Sequence, residues 1–93
     1  MDQERANLRK RVLKGGLILF NNHRSSVNCT VRDFSETGAK LRMEAATSVP
    51  DNFDLMLPQE NLIYPAEVAW RRALDIGVRF TGPAGPVKRS QPH

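Results

Sequence analysis

The feature that most restricts what this chain can fold into is an alternation of apolar and polar side chains with a period of two residues. Val27, Cys29 and Val31 alternate with Asn28, Thr30 and Arg32, and Ala39, Leu41 and Met43 alternate with Lys40, Arg42 and Glu44. Shorter runs follow at Phe53/Leu55/Leu57, Ala66/Val68/Trp70 and Ile76/Val78/Phe80. Successive side chains of a strand point to opposite faces, so each run predicts a strand with one buried side. Leu17-Ile18-Leu19-Phe20 is continuous rather than alternating. It fits either a strand covered on both faces or a buried helical turn, and its length and the preceding Gly15-Gly16 pair favour a strand.

Turn-forming residues separate these runs at Asn21-Asn22, Ser35 to Gly38, Pro50-Asp51-Asn52, Pro58 to Asn61 and Leu74-Asp75. Connections this short join antiparallel neighbours, and a small sheet hides its edges most completely by closing into a barrel. The expected architecture is therefore all-β, an antiparallel β-barrel. Residues 1–10 are expected to form a flexible basic arm, since a helical segment that short is marginal in water. Residues 11–82 are expected to form the barrel. Residues 83–93, following Gly82 and containing Pro83 and Pro86, read as a disordered tail.

A chain of 93 residues buries little more than about 60% of its unfolded surface, which leaves scant room for a large internal cavity. The single Cys29 has no partner for an intramolecular disulfide, and no apolar run matches a signal peptide or a membrane span. Cytoplasmic localisation without membrane insertion is expected.

The net charge of +4 suggests nucleic acid until its distribution is considered. Residues 1–14 carry five basic against two acidic side chains, residues 15–82 seven against eight, and Lys88 and Arg89 complete the excess. Non-specific affinity for DNA or RNA comes from neutralising many phosphates together, and a body without surplus charge is poorly suited to that. A basic arm beside a neutral body suits a compact anion better. The chain also lacks the Cys/His spacing of a metal site, a glycine-rich loop before a helix, and a Ser/His/acid set, so an enzyme is not expected.

Two constellations remain. Arg5 and Arg9 form an Arg-x-x-x-Arg spacing, with Lys10 and Arg11 immediately after. The planar guanidinium presents its donors as a fork that matches a phosphate, or the O6/N7 edge of guanine, with two hydrogen bonds. In Asp33-Phe34-Ser35-Glu36-Thr37-Gly38, Asp33 can accept from N1 and N2 of a guanine, Ser35 offers a short hydroxyl, and Gly38 permits positive φ or close backbone approach. The same residues also make an ordinary turn.

Together the two constellations resemble the PilZ domain family, which pairs an N-terminal Arg-x-x-x-Arg with a downstream Asp/Asn-x-Ser-x-x-Gly. Arg5, Arg9, Asp33, Ser35 and Gly38 fill those positions in order, and Ala39-Lys40-Leu41-Arg42, Ala66-Glu67-Val68-Ala69-Trp70 and Gly77-Val78-Arg79-Phe80 resemble family strands. The resemblance implies a six-stranded antiparallel barrel that binds cyclic di-GMP on its outside. Arg5 and Arg9, with Lys10 and Arg11 beside them, would grip the ligand, and Asp33, Ser35 and Gly38 would form the floor. Arg11 could share or replace the role of Arg9. The implied protein is a receptor with no cofactor, signalling to a downstream protein through an arm that the ligand orders. The alternatives are a PilZ-like module that binds only proteins, or a general nucleic-acid-binding barrel. Many relatives also pack a C-terminal helix on the barrel mouth, and this sequence shows none. Trp70 reads as core or barrel rim, Cys29 as a small buried apolar residue, His23 as a solvated turn residue, and Arg71-Arg72 as a solvated strand end that could border the ligand.

Overall fold

A computed structural model describes residues 10–44 and 48–87, with side chains from residue 13 onward. The strands are β1 Lys10–Phe20, β2 Ser25–Phe34, β3 Gly38–Met43, β4 Asn52–Leu57, β5 Leu62–Arg72, β6 Asp75–Phe80 and β7 Gly85–Pro86. They lie in the order β4-β1-β2-β3-β6-β5-β7, and an additional β4–β5 pairing closes the first six into a barrel. Every pairing is antiparallel. The all-β antiparallel barrel is thus the fold that the alternation requires.

The apolar partners in that alternation fill the interior. Ile18, Val31, Leu41, Leu55 and Leu57 are fully buried, and no polar or charged side chain among the described residues joins them. Burying a side chain of this size contributes about 1.5–3 kcal/mol, which offsets the ordering of a chain with so few residues. Cys29 is 4% exposed, and burial pushes its thiol up to about 12. Leu17 to Phe20 lie within β1, where Leu17–Leu19 pair with β2 on one side and β4 on the other. The continuous apolar run therefore belongs to a strand, with Ile18 in the core and its neighbours partly covered.

The turns adopt conformations that their residues favour. Asn21, Asn22, His23 and Asn61 take the left-handed region at φ 57–65°, where Asn is the least strained side-chain-bearing residue. The His23 ring is fixed across the barrel end, with Nε2 2.6 Å from Asp54 Oδ2.

Two sequence expectations are corrected. The chain remains paired beyond residue 82, because β7 lies against β5 with Leu62 opposite Pro86 and Ile63 opposite Gly85. Proline is tolerated there because β7 ends the sheet, where a missing N–H leaves no ladder partner unsatisfied, and Val87 N–H donates to the Asn61 carbonyl at 3.1 Å. The expected disordered tail of residues 83–93 therefore does not begin at 83. Trp70 likewise leaves the apolar face that it shares in sequence with Ala66 and Val68. An irregularity between Val68 and Trp70 leaves Ala69 without a partner, so Val68 pairs with Val78 and Trp70 with Gly77. One inserted residue turns every side chain after it to the other face, and Trp70 is 44% exposed on the outside.

Candidate functional site

The outer surface of β2, β3, β6 and β5 carries a row set by strand register. Asp33 pairs with Lys40, Lys40 with Gly77, and Gly77 with Trp70. Partners in register share a face, so these four positions lie side by side on the outside. Asp33 joins them through a second irregularity, between Val31 and Asp33, which leaves Arg32 unpaired. Without it Asp33 would follow Val27, Cys29 and Val31 inward, where an unpaired carboxylate would be heavily penalised.

The same irregularity turns Phe34 inward. Its ring packs edge-on against Tyr64, with centroids 5.4 Å apart, and at 5.5 Å against Phe80, which lies tilted against Tyr64 at 4.7 Å. This aromatic cluster anchors the turn that follows. Ser35 N–H donates to the Gly38 carbonyl at 2.9 Å, and Phe80 N–H reaches the Thr37 carbonyl at 2.8 Å. The Ser35 hydroxyl accepts from Thr37 N–H at 3.2 Å and Gly38 N–H at 3.3 Å, and lies 3.3 Å from the Gly38 carbonyl oxygen. With one donor and two lone pairs, it is fully occupied within its own turn. Ser35 therefore shapes the turn.

Gly38 is needed for close approach and not for left-handed backbone, since no glycine of the described chain has positive φ. A Cβ placed on Gly38 would overlap the Val78 carbonyl oxygen and lie 3.3 Å from Arg79 Cα. Only glycine lets the start of β3 lie this close to β6.

Row and turn together line an open groove of about 380 Å³, whose lining includes Asp33, Ser35, Gly38 and Arg79 beside the turn and Lys40, Gly77 and Trp70 along the row. The volume lies within the range of about 300–1,000 Å³ usual for small-ligand sites. Its charges are arranged across strands. Lys40 Nζ is 4.0 Å from Asp33 Oδ2, too long for a direct hydrogen bond, and the Arg79 guanidinium pairs with Glu67 on β5. One row further along, Arg42 donates to Asp75 at 2.8 and 3.2 Å. This contact holds the Asp75 carboxyl below the usual carboxylate range. Arg42 is thereby engaged away from the groove, and among the described side chains Lys40 is a cation beside Asp33.

The amino-terminal strand arrives at the same end. Lys10 is opposite Phe34 and Arg11 opposite Asp33 in the β1–β2 register. Of the residues singled out in the sequence, the fold thus brings Asp33, Ser35 and Gly38 into one groove and sets the backbone of Lys10 and Arg11 alongside. Arg5 and Arg9 lie outside the described residues. Arg71 is not a groove residue: its guanidinium donates to the Val49 carbonyl and to Asp51 Oδ1, each at 2.9 Å. Sequence reasoning missed Lys40, Arg79 and above all Trp70. The available signal for Trp70 was Arg72, which unbroken alternation would place on the same inward face as a buried charge.

No helix among the described residues is long and apolar enough to cross a membrane. Compared with curated proteins, the chain has no match. Compared with known families, it matches the PilZ domain over residues 3–90, nearly its whole length. The match, the six-stranded barrel and the Asp33-Phe34-Ser35-Glu36-Thr37-Gly38 turn agree, and the chain belongs to the PilZ domain family, whose members are generally cyclic di-GMP receptors.

Proposed function

We propose that this chain binds cyclic di-GMP in the groove between the Asp33–Gly38 turn and Trp70, gripped by arginines of its N-terminal segment. The observation that carries this reading is the β1–β2 register, which sets Arg11 opposite Asp33 and so leads the basic segment to the groove. Chain connectivity keeps Arg9 within about 3.8 Å of Lys10, Cα to Cα, and Arg5 within about 18 Å. Both arginines are therefore tethered within reach of the turn.

The chemistry is complementary at each end of the ligand. The Asp33 carboxylate accepts the N1 and N2 donors of a guanine. Guanidinium groups take the phosphates and the O6/N7 edge with paired hydrogen bonds. Gly38 keeps the floor low enough for a ring to approach, and Ser35 fixes the turn. Binding is a recognition event without chemistry on the ligand, and the chain acts as a receptor and not as an enzyme.

The signal arises from the arm. Fixing six residues of backbone costs on the order of 6–12 kcal/mol, whereas each charge-assisted hydrogen bond returns roughly 1.5–3 kcal/mol. Several bonds must form together, so the arm adopts its bound conformation in one step and presents a changed surface to a protein partner.

Titration calorimetry with cyclic di-GMP, alongside a single-stranded oligonucleotide, tests the reading. Saturable binding of the dinucleotide alone is expected, with Arg5→Ala and Arg9→Ala each weakening it by about tenfold to hundredfold. Arg9→Lys should also weaken it, because the fork is lost. Preference for the oligonucleotide would identify a nucleic-acid-binding barrel instead, and no binding of either would leave a protein-interaction module.

A further inference from the structure

Three neighbouring strands are apolar on their outer face as well as their inner one. Alternation lapses in Leu17-Ile18-Leu19 of β1, Leu55-Met56-Leu57 of β4 and Ile63-Tyr64-Pro65-Ala66 of β5. Ile18, Leu55, Leu57 and Ala66 are in the core, so the side chains next to them in sequence point outward. Register then joins these outward positions across the strands. Leu17 is opposite Met56 and Met56 opposite Ile63, with Leu19 two residues further along β1. These four are half-buried, yet none belongs to the core or to the side chains packed against it. Leu13, 76% exposed, extends the same face of β1 past Gly15. Strands that are apolar on both faces are the pattern of a sheet covered on both sides. Among the described residues every regular element is a strand of the barrel, so none of them lies over this wall.

We propose that two copies of the chain associate through this wall, back to back and related by a two-fold axis beside Met56. Charge favours a second copy over an acidic or basic partner. The charges at the ends of the wall are engaged within the chain, Lys14 with Glu60 and His23 with Asp54, and leave the middle to apolar side chains alone. Such a surface is complementary to itself, and a two-fold contact sets Met56 against its own counterpart. Position also suits it. In the closed strand order β4 is three strands from β3 in either direction, so the wall faces away from the Asp33 groove and association leaves both grooves open.

The size of the wall sets the strength of the contact. Three strands about 4.8 Å apart, over six residue steps of about 3.4 Å, give an area on the order of 300 Å². A standard interface takes about 800 Å² from each partner. The wall is thus the apolar centre of the contact, and exposed polar residues beside it, Ser26, Asn28 and Gln59, form the rim. A weak, reversible dimer follows.

Sedimentation velocity of the full chain from about 10 µM to about 1 mM, a range that brackets weak association, tests the proposal. The wild-type mass should rise with concentration toward that of a dimer. Met56→Glu and Met56→Lys each put a charge at the centre of the wall and should stay monomeric throughout. Mixed in equal amounts, the two variants should dimerise again, because each charge then meets its opposite across the axis. That recovery is a readout that a merely structural Met56 would not give. Trp70→Gln, at the other exposed large apolar side chain, should associate like wild type. If circular dichroism shows Met56→Glu unfolded, Ile63→Glu replaces it, with the same monomer expected.

A wild type that remains monomeric at about 1 mM overturns the proposal, as does a folded Met56→Glu or Ile63→Glu that still dimerises. Failure of the mixed variants to associate refutes the two-fold contact at Met56. Loss of association in Trp70→Gln would move the contact to the groove face. None of these measurements uses a ligand, so their outcome is independent of the cyclic di-GMP reading.

Discussion

Gly38→Ala tests the geometric basis of the site most directly. The new Cβ would overlap the Val78 carbonyl oxygen and lie 3.2 Å from the Val78 carbonyl carbon and 3.3 Å from Arg79 Cα. All three obstacles are backbone, so no rotamer change relieves them. The start of β3 must separate from β6, where Gly38 pairs with Arg79 and Ala39 with Val78. That separation strains the 2.8 Å Phe80-to-Thr37 bond and the 2.9 Å Ser35-to-Gly38 bond. Overpacking costs about 1–3 kcal/mol, and each weakened backbone bond adds about 0.5–1.5 kcal/mol. The expected destabilisation is therefore about 2–6 kcal/mol, taking the overpacking and both bonds together.

Two other glycines provide an internal scale. A Cβ on Gly15 meets only Gln59 Nε2, at 3.8 Å, and one on Gly16 meets Cys29 Sγ at 3.3 Å and Leu55 Cδ1 at 3.4 Å. Urea denaturation should thus rank Gly15→Ala near wild type, Gly16→Ala slightly destabilised and Gly38→Ala far below both. In thermal melts each kcal/mol lowers the midpoint by about 4–8 °C for a domain of this size. Cyclic di-GMP affinity should fall with Gly38→Ala and remain at the wild-type value with Gly15→Ala. Equal stability of the Gly15 and Gly38 variants would refute the close-approach argument.

Ser35→Ala removes the acceptor of two backbone N–H groups, and should lower stability by roughly 1–2 kcal/mol, measured by urea denaturation. Ligand affinity should fall with it, although the hydroxyl itself touches only its own turn. Cys29, with its thiol pushed up to about 12 by burial, should resist thiol reagents in the native state and react as the chain unfolds. Its folded value lies above the ordinary thiol value of 9.0, so its contribution to stability is complete below that pH and is lost as pH rises from there toward 12. Cys29→Ala should show a shallower alkaline loss of stability than wild type in denaturation curves collected across that window, and parallel curves would remove Cys29 as the cause.

Much of this protein is legible in its sequence because period-two patterning is a local property. Ile18, Val31, Leu41, Leu55 and Ile76 are buried where alternation or apolar runs place them, since a strand buries one face regardless of which strand lies next to it. The Asp33-Phe34-Ser35-Glu36-Thr37-Gly38 turn is likewise contained in six consecutive residues, and the hydrogen bonds of its Ser35 hydroxyl are local. What the tertiary structure alone decided is which side of the sheet Asp33 and Trp70 occupy. Each is shifted by a residue, Arg32 or Ala69, that has no partner on the neighbouring strand. An irregularity of that kind exists only between two paired strands, so pattern within one segment does not reveal it. Gly77 shows the same division. As a sequence position it is an unremarkable glycine before Val78, and its meaning comes from the indole that strand pairing lays across it. Local alternation determined the barrel and its core, and long-range register assembled the groove on its surface.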